Sequence, residues 1–152
     1  MNNVLGSISA NLIKLFDNIM EVEAHTIRNE YGDKISMTEV HTIAAIGVAE
    51  LKSMSELAAQ LSITVGTLTV AINNLVKKGF VERYKTERDR RVVKVALTKE
   101  GKKIYSLHEK LHNDIVFALI KGLSESEMDV VAKALDNLDS FVEKRFENGE
   151  IK

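Results

Sequence analysis

The chain has 152 residues, a formal net charge of −1, no cysteine and no proline. That length fits one domain, 1–152, and the lack of cysteine excludes disulfides, thiolate zinc sites and thiol redox sensing. No apolar run approaches the roughly 20 residues of a membrane span, and MNNVLGSISANL at the N-terminus lacks a basic segment followed by an apolar core, so no secretory signal is read and a cytoplasmic compartment is expected.

Charge is segregated. Residues 77–103 hold 11 Lys/Arg against 4 Asp/Glu, while residues 1–76 hold 4 against 8 and residues 104–152 hold 6 against 10. Positive charge confined to one stretch is the electrostatic footprint of a phosphate-facing surface. A solvated basic hairpin has the same composition, so the elements around it must decide.

In chain order, Ile8, Leu12, Leu15, Phe16, Ile19, Met20 and Ile27 recur at spacings of three and four, which predicts a helix over 7–30. Ser36–Glu39 is a capping box before a short apolar helix from Val40 to about Gly47. Ser53–Glu56 is another, before a brief helix at Leu57–Leu61. Thr64 caps a fourth helix, Val65 to about Lys78, whose inward face is Leu68, Ala71, Ile72 and Leu75. Gly79 stops it. Leu57, Ala58, Leu61, Ile63 and Leu68 are placed to pack the corner between the two short helices.

Gly79–Tyr84 and Val93–Leu97 read as two strands around a charged tip, Glu87-Arg88-Asp89-Arg90-Arg91. Thr98 then caps a helix from Lys99 to about Lys121, carrying Ile104, Leu107, Leu111, Ile115 and Leu119. Ser124–Glu127 opens a last helix to about Phe146, with Met128, Val131, Leu135, Leu138 and Val142 as its stripe. The expected fold is mainly α with a small β-hairpin, a winged helix-turn-helix over about 36–98. Helices at about 5–31 and 99–147 cannot bury their stripes on so small a centre, so they predict a homodimer.

This arrangement implies DNA binding. The fourth helix would lie in the major groove, offering Thr64, Val65, Gly66, Thr67, Thr69, Val70, Asn73 and Asn74. Threonine methyls and Val70 suit thymine methyls, and Asn73 or Asn74 suits adenine. No arginine lies between Val65 and Val76, so an AT-rich inverted repeat is the expected site. Arg88, Arg90 and Arg91 at the tip would reach a minor groove narrowed by AT-rich sequence, with Asp89 or Glu87 fixing an arginine rotamer. Lys77, Lys78, Arg83 and Lys94 are expected on phosphates. Catalysis has no support: there is no glycine-rich phosphate loop, nucleophile elbow or paired carboxylates beside a base. Docking to a protein instead of DNA is a further use of such a fold.

Asp89-Arg90-Arg91, followed after five residues by Leu97-Thr98-Lys99-Glu100-Gly101, resembles the wing signature of MarR-type transcription regulators. The resemblance covers nearly the whole chain and departs from many members at Val70, where they carry arginine. Glu39–Ile43, Thr64–Thr69, Asn73–Leu75 and Asp89–Val93 further resemble FabT-type repressors of fatty-acid synthesis. That likeness implies a dimeric repressor of fatty-acid-biosynthesis genes whose DNA binding is enhanced by acyl-acyl carrier protein. An acyl chain would need an apolar tunnel, for which Phe16, Ile19, Met20, Ile43 and Ile46, with His41 and His108, are the candidate walls; plain core residues fit the same pattern. No metal cofactor is expected on this reading.

The alternative is zinc. His108 and His112 are spaced for one helix face and suit one metal. Zinc-sensing MarR-type members resemble this chain in using a glutamate and three histidines from these segments, which implies Glu21 or Glu23 with His41, His108 and His112. The FabT-type pattern carries these histidines too, and histidines bonded to backbone or carboxylates need no metal. A response to small aromatic or drug-like ligands is a third reading.

Overall fold

Hydroxyl side chains set the helix starts. In the computed structural model, which describes residues 2–85 and 93–147, helix α1 runs Asn2–Tyr31, a few residues longer at its N-terminus than the apolar pattern predicts. A 3-10 turn, Gly32–Lys34, follows, with Gly32 at φ +59°. Ser36 Oγ accepts from Glu39 N at 3.3 Å, and Glu39 Oε2 accepts from Ser36 N at 2.9 Å, which opens α2, Met37–Ile46. Ser53 and Glu56 repeat the device at the start of α3, Met54–Gln60. Thr64 Oγ1 accepts from Thr67 N at 3.1 Å and opens α4, Val65–Lys77. Helices α3 and α4 meet at 107°, the bend of a helix-turn-helix. No single helix among the described residues is long and apolar enough to cross a membrane.

The chain then turns into a sheet. Gly79, at φ +79°, ends α4, a conformation that suits glycine. Strand β2, Val81–Lys85, pairs antiparallel with β3, Val93–Leu97, with Val81 opposite Leu97 and Lys85 opposite Val93. A strand absent from the sequence reading, β1 at Lys52–Ser53, occupies the other edge of β3 and gives the order β1-β3-β2. Arg88, Asp89, Arg90 and Arg91 lie outside the described residues.

Helix α5, Lys99–Ile120, begins at a tight joint. Thr98 N donates to Phe80 O at 3.0 Å, Thr98 Oγ1 donates to Gly79 O at 2.7 Å, and Gly101 N donates to Thr98 Oγ1 at 3.1 Å. A Cβ on Gly101 would fall inside the Phe80 carbonyl. The Leu-Thr-x-x-Gly pattern is therefore a steric and hydrogen-bonding lock between the end of α4 and the start of α5. Ser124 and Glu127 cap α6, Glu125–Glu147.

The chain divides into two compact units, Met1–His112 and Asn113–Lys152. In the first, Val40, Ile43, Ile46, Leu57, Leu68, Ile72, Leu75, Val95 and Ile104 are sealed from solvent. The Tyr31 ring stands edge-on to Phe80 at 6.5 Å, so the end of α1 rests on the α4–β2 joint. Ile27 is buried with them, whereas Ile8, Leu12, Leu15, Phe16 and Met20 are exposed. Ile63, expected in the helix-turn-helix corner, is 37% exposed, and Ala58 and Leu57 fill that corner instead. In the second unit, α6 leaves Val130, Leu135 and Phe141 exposed, and the Arg145 guanidinium sits 5.2 Å over the Phe141 ring.

Candidate nucleic-acid interface and histidine cluster

Helix α4 divides cleanly. Leu68, Ile72 and Leu75 are buried, while Thr64, Val65, Gly66, Thr67, Val70, Asn73 and Asn74 are exposed and Thr69 is half-buried. The hydroxyls on this face are already committed locally: Thr64 Oγ1 and Thr67 Oγ1 pair at 2.9 Å, and Thr69 Oγ1 donates to Val65 O at 2.7 Å. The carboxamides of Asn73 and Asn74 have no partner among the described residues. They are the free donors and acceptors of this face.

The basic side chains differ in availability. Lys77 and Arg83 are exposed and have no partner among the described residues. Lys78 and Lys94, expected on phosphates, are engaged within the chain. Lys94 Nζ donates to Leu51 O at 3.2 Å. Lys78 Nζ lies 2.7 Å from both carboxylate oxygens of Glu39. Burial would raise the Glu39 carboxyl, but the Lys78 ammonium and the Ser36 hydrogen bonds outweigh it, and the net direction is below the ordinary carboxylate value. The resulting stability is present above the unfolded carboxyl's pKa of about 4.3 and is lost as pH falls through the lower folded value.

The proposed tunnel walls are dispersed. Ile43 and Ile46 are in the sealed core, Phe16 and Met20 are exposed, and Ile19 is half-buried. A cleft of about 360 Å³ lies elsewhere, lined by Ile27, Arg28, Ile35, Met37, Glu39 and Lys78 among others.

Four titratable side chains converge where α1, α2 and α5 meet. Glu23 is 3% exposed. Its carboxylate lies 3.7 Å from His41 Nε2 and 3.5 Å from His108 Nε2, and it is hydrogen-bonded to His112 Nε2. The His108 and His112 Nε2 atoms are 3.1 Å apart. Glu21, on the same helix, is exposed and lies outside this cluster. Burial lowers the His108 pKa, helped by repulsion from His112 and His41 and opposed by Glu23. A neutral imidazole has a lone pair to donate. One ligand atom each from Glu23, His41 and His108 falls within 4.8 Å of the others, so a shared ion would have to draw them in toward the spacing of about 3.3 Å that tetrahedral bonds to zinc require. Two imidazoles and a carboxylate are donors of the kind that ion takes, and the His112 imidazole lies beside them.

Residues 35–93 match the family model described as MarR family. Over 113 residues, 74% of each chain, the protein is 32% identical to the HTH-type transcriptional regulator SarZ of Staphylococcus saprophyticus. It is 28% identical over 117 residues to the HTH-type transcriptional regulator PchR of Bacillus subtilis, covering 75% of this chain and 69% of that one. Among solved structures it is similar to Streptococcus pneumoniae FabT in complex with DNA, at 39% identity and a TM-score of 0.80, covering 92% of this chain and 98% of that chain.

Proposed function

The chain belongs to the MarR family, whose members are DNA-binding transcription regulators and not enzymes, and from that premise we propose that it is a dimeric, cytoplasmic repressor of fatty-acid-synthesis genes that responds to acyl-acyl carrier protein. One observation carries this reading: the 39% identity to FabT extends over nearly the full length of both chains. Regulators of this type act as dimers on DNA, and the exposed stripe of α1 (Ile8, Leu12, Leu15, Phe16) is the surface a second copy would cover. With two copies, two α4 helices meet the two halves of an inverted repeat. The face carrying Thr64, Thr67, Val70, Asn73 and Asn74 favours A·T pairs, because thymine methyls and adenine edges suit these groups and no arginine competes for guanine.

The deciding experiment measures binding to the upstream DNA of fatty-acid-synthesis genes with acylated and unacylated carrier protein. Tightening by the acylated form alone supports the reading. Equal effects of the two forms reject it.

A second reading, a divalent-metal response, is favoured by one observation, the convergence of Glu23, His41, His108 and His112. A zinc ion there would link three helices, and those side chains would hold it. Zinc titration should give saturable uptake that His108→Ala weakens by about tenfold or more. Uptake unaffected by that replacement removes the metal reading and leaves the acyl reading untouched.

A further inference from the structure

We propose that Lys78 is a positioning residue, which fixes the reading helix α4 through Glu39 and makes no contact with the DNA backbone. The proposal rests on the DNA-binding role alone and is independent of the effector.

A lysine directly after a reading helix, inside the most basic stretch of the chain, is the obvious phosphate contact. Its surroundings say otherwise. The Lys78 ammonium bonds both oxygens of Glu39 at 2.7 Å, and only 13% of the Glu39 side chain is exposed. Glu39 is in turn held by Ser36, whose backbone N donates at 2.9 Å and whose Oγ donates at 3.2 Å. Glu39 sits in the first turn of α2, and α2 is anchored by Val40, Ile43 and Ile46 in the sealed core. A continuous series of fixed groups therefore runs from the core to the end of α4. A lone exposed pair contributes little. In this pair Lys78 is exposed, but Glu39 is half-buried, bonded through both oxygens and built on a capping box.

The buried stripe of Leu68, Ile72 and Leu75 sets how α4 is rolled about its axis, and the pair pins the end of the helix in that orientation. Asn74 lies one turn before Lys78 on the same stripe, and Asn73 lies one turn before Lys77. Holding Lys78 against α2 fixes the direction in which both carboxamides point. The neighbouring joint, where Thr98 Oγ1 donates to Gly79 O, ties the end of the helix to the sheet side, and the Lys78–Glu39 bond ties it to α2. Lys77, exposed and without a partner among the described residues, is the cation left for phosphate.

The two roles predict opposite signs for one replacement. Glu39→Gln keeps an N3 side chain that serves a capping box but removes the charge that holds Lys78. Were Lys78 a phosphate contact, Glu39→Gln would free it and strengthen binding. As a positioning residue it must weaken binding. The experiment uses the full chain and a fluorescent duplex recovered by in-vitro selection on it, titrated over a range of salt, with thermal melting as a check on folding.

Lys78→Met and Glu39→Gln should each weaken binding by about five- to tenfold, and the double replacement should add nothing further. The slope of log affinity against log salt should stay at the wild-type value in both. In Lys77→Met that slope should shrink by about 1.8, the signature of two lost phosphate contacts, one from each copy of the dimer. Lys78→Arg, which can also bond both carboxylate oxygens, should retain most of the affinity. A slope reduction of about 1.8 in Lys78→Met, one contact from each copy, stronger binding by Glu39→Gln, additive losses, or unchanged affinity in Lys78→Met would each overturn the proposal.

Discussion

Leu68 and Phe16 are both apolar side chains on the inward stripe of a helix, yet Leu68 is fully buried and Phe16 is 57% exposed. The difference is one of partners. Helix α4 finds α2, α3 and the sheet within its own chain. Helix α1 has 30 residues and spans about 45 Å, more than the small central core can cover. Its last turns, with Ile27 and Tyr31, reach that core, and its earlier turns pass beyond it. The same periodic pattern thus records two kinds of burial, one completed by folding and one that waits for association.

That contrast can be broken from its closed side. Leu68→Ala should cost about 4 kcal/mol, because a sealed site cannot collapse around the lost volume; urea denaturation measures it, and a cost under about 1 kcal/mol would mean the core is looser than described. Gly101→Ala should cost about 3 kcal/mol, since its methyl must displace the Phe80 carbonyl even though alanine favours helix. Thr64→Ala should cost about 1 kcal/mol, the loss of one helix cap. From the open side, Phe16→Glu should change the stability of the folded monomer by less than about 0.5 kcal/mol. The same variant should sediment as monomer at concentrations where the wild type is dimer. Dimer retention in that variant would show that another surface holds the two copies together.

The locally encoded features were the legible ones. Ser36, Ser53, Thr64, Thr98 and Ser124 each announce a helix start, because the capping partner lies three residues away in sequence. The split of α4 into a buried and an exposed face follows from helical period alone. What could not be read depends on distant parts of the chain. Strand β1 has two residues and exists only because Lys52 and Ser53 pair with Val95 and Lys94. That Glu23 and not Glu21 joins the histidines is a matter of which helix face meets α2 and α5. Lys78 and Lys94 looked like free cations until the fold brought Glu39 and the Leu51 carbonyl to them. Their placement 39 and 43 residues from those partners in sequence is the kind of information that periodicity does not contain.

The two faces of α4 also bear on descent. Leu68, Ile72 and Leu75 are buried, whereas the exposed face, proposed to read DNA, contributes almost nothing to the core. Mutation can therefore alter the exposed face without endangering the fold, so if that face reads DNA, new target sequences are open to this scaffold one residue at a time. Val70, 62% exposed, is the nearest such step: on the proposed reading, arginine there would offer a guanine a partner that valine does not.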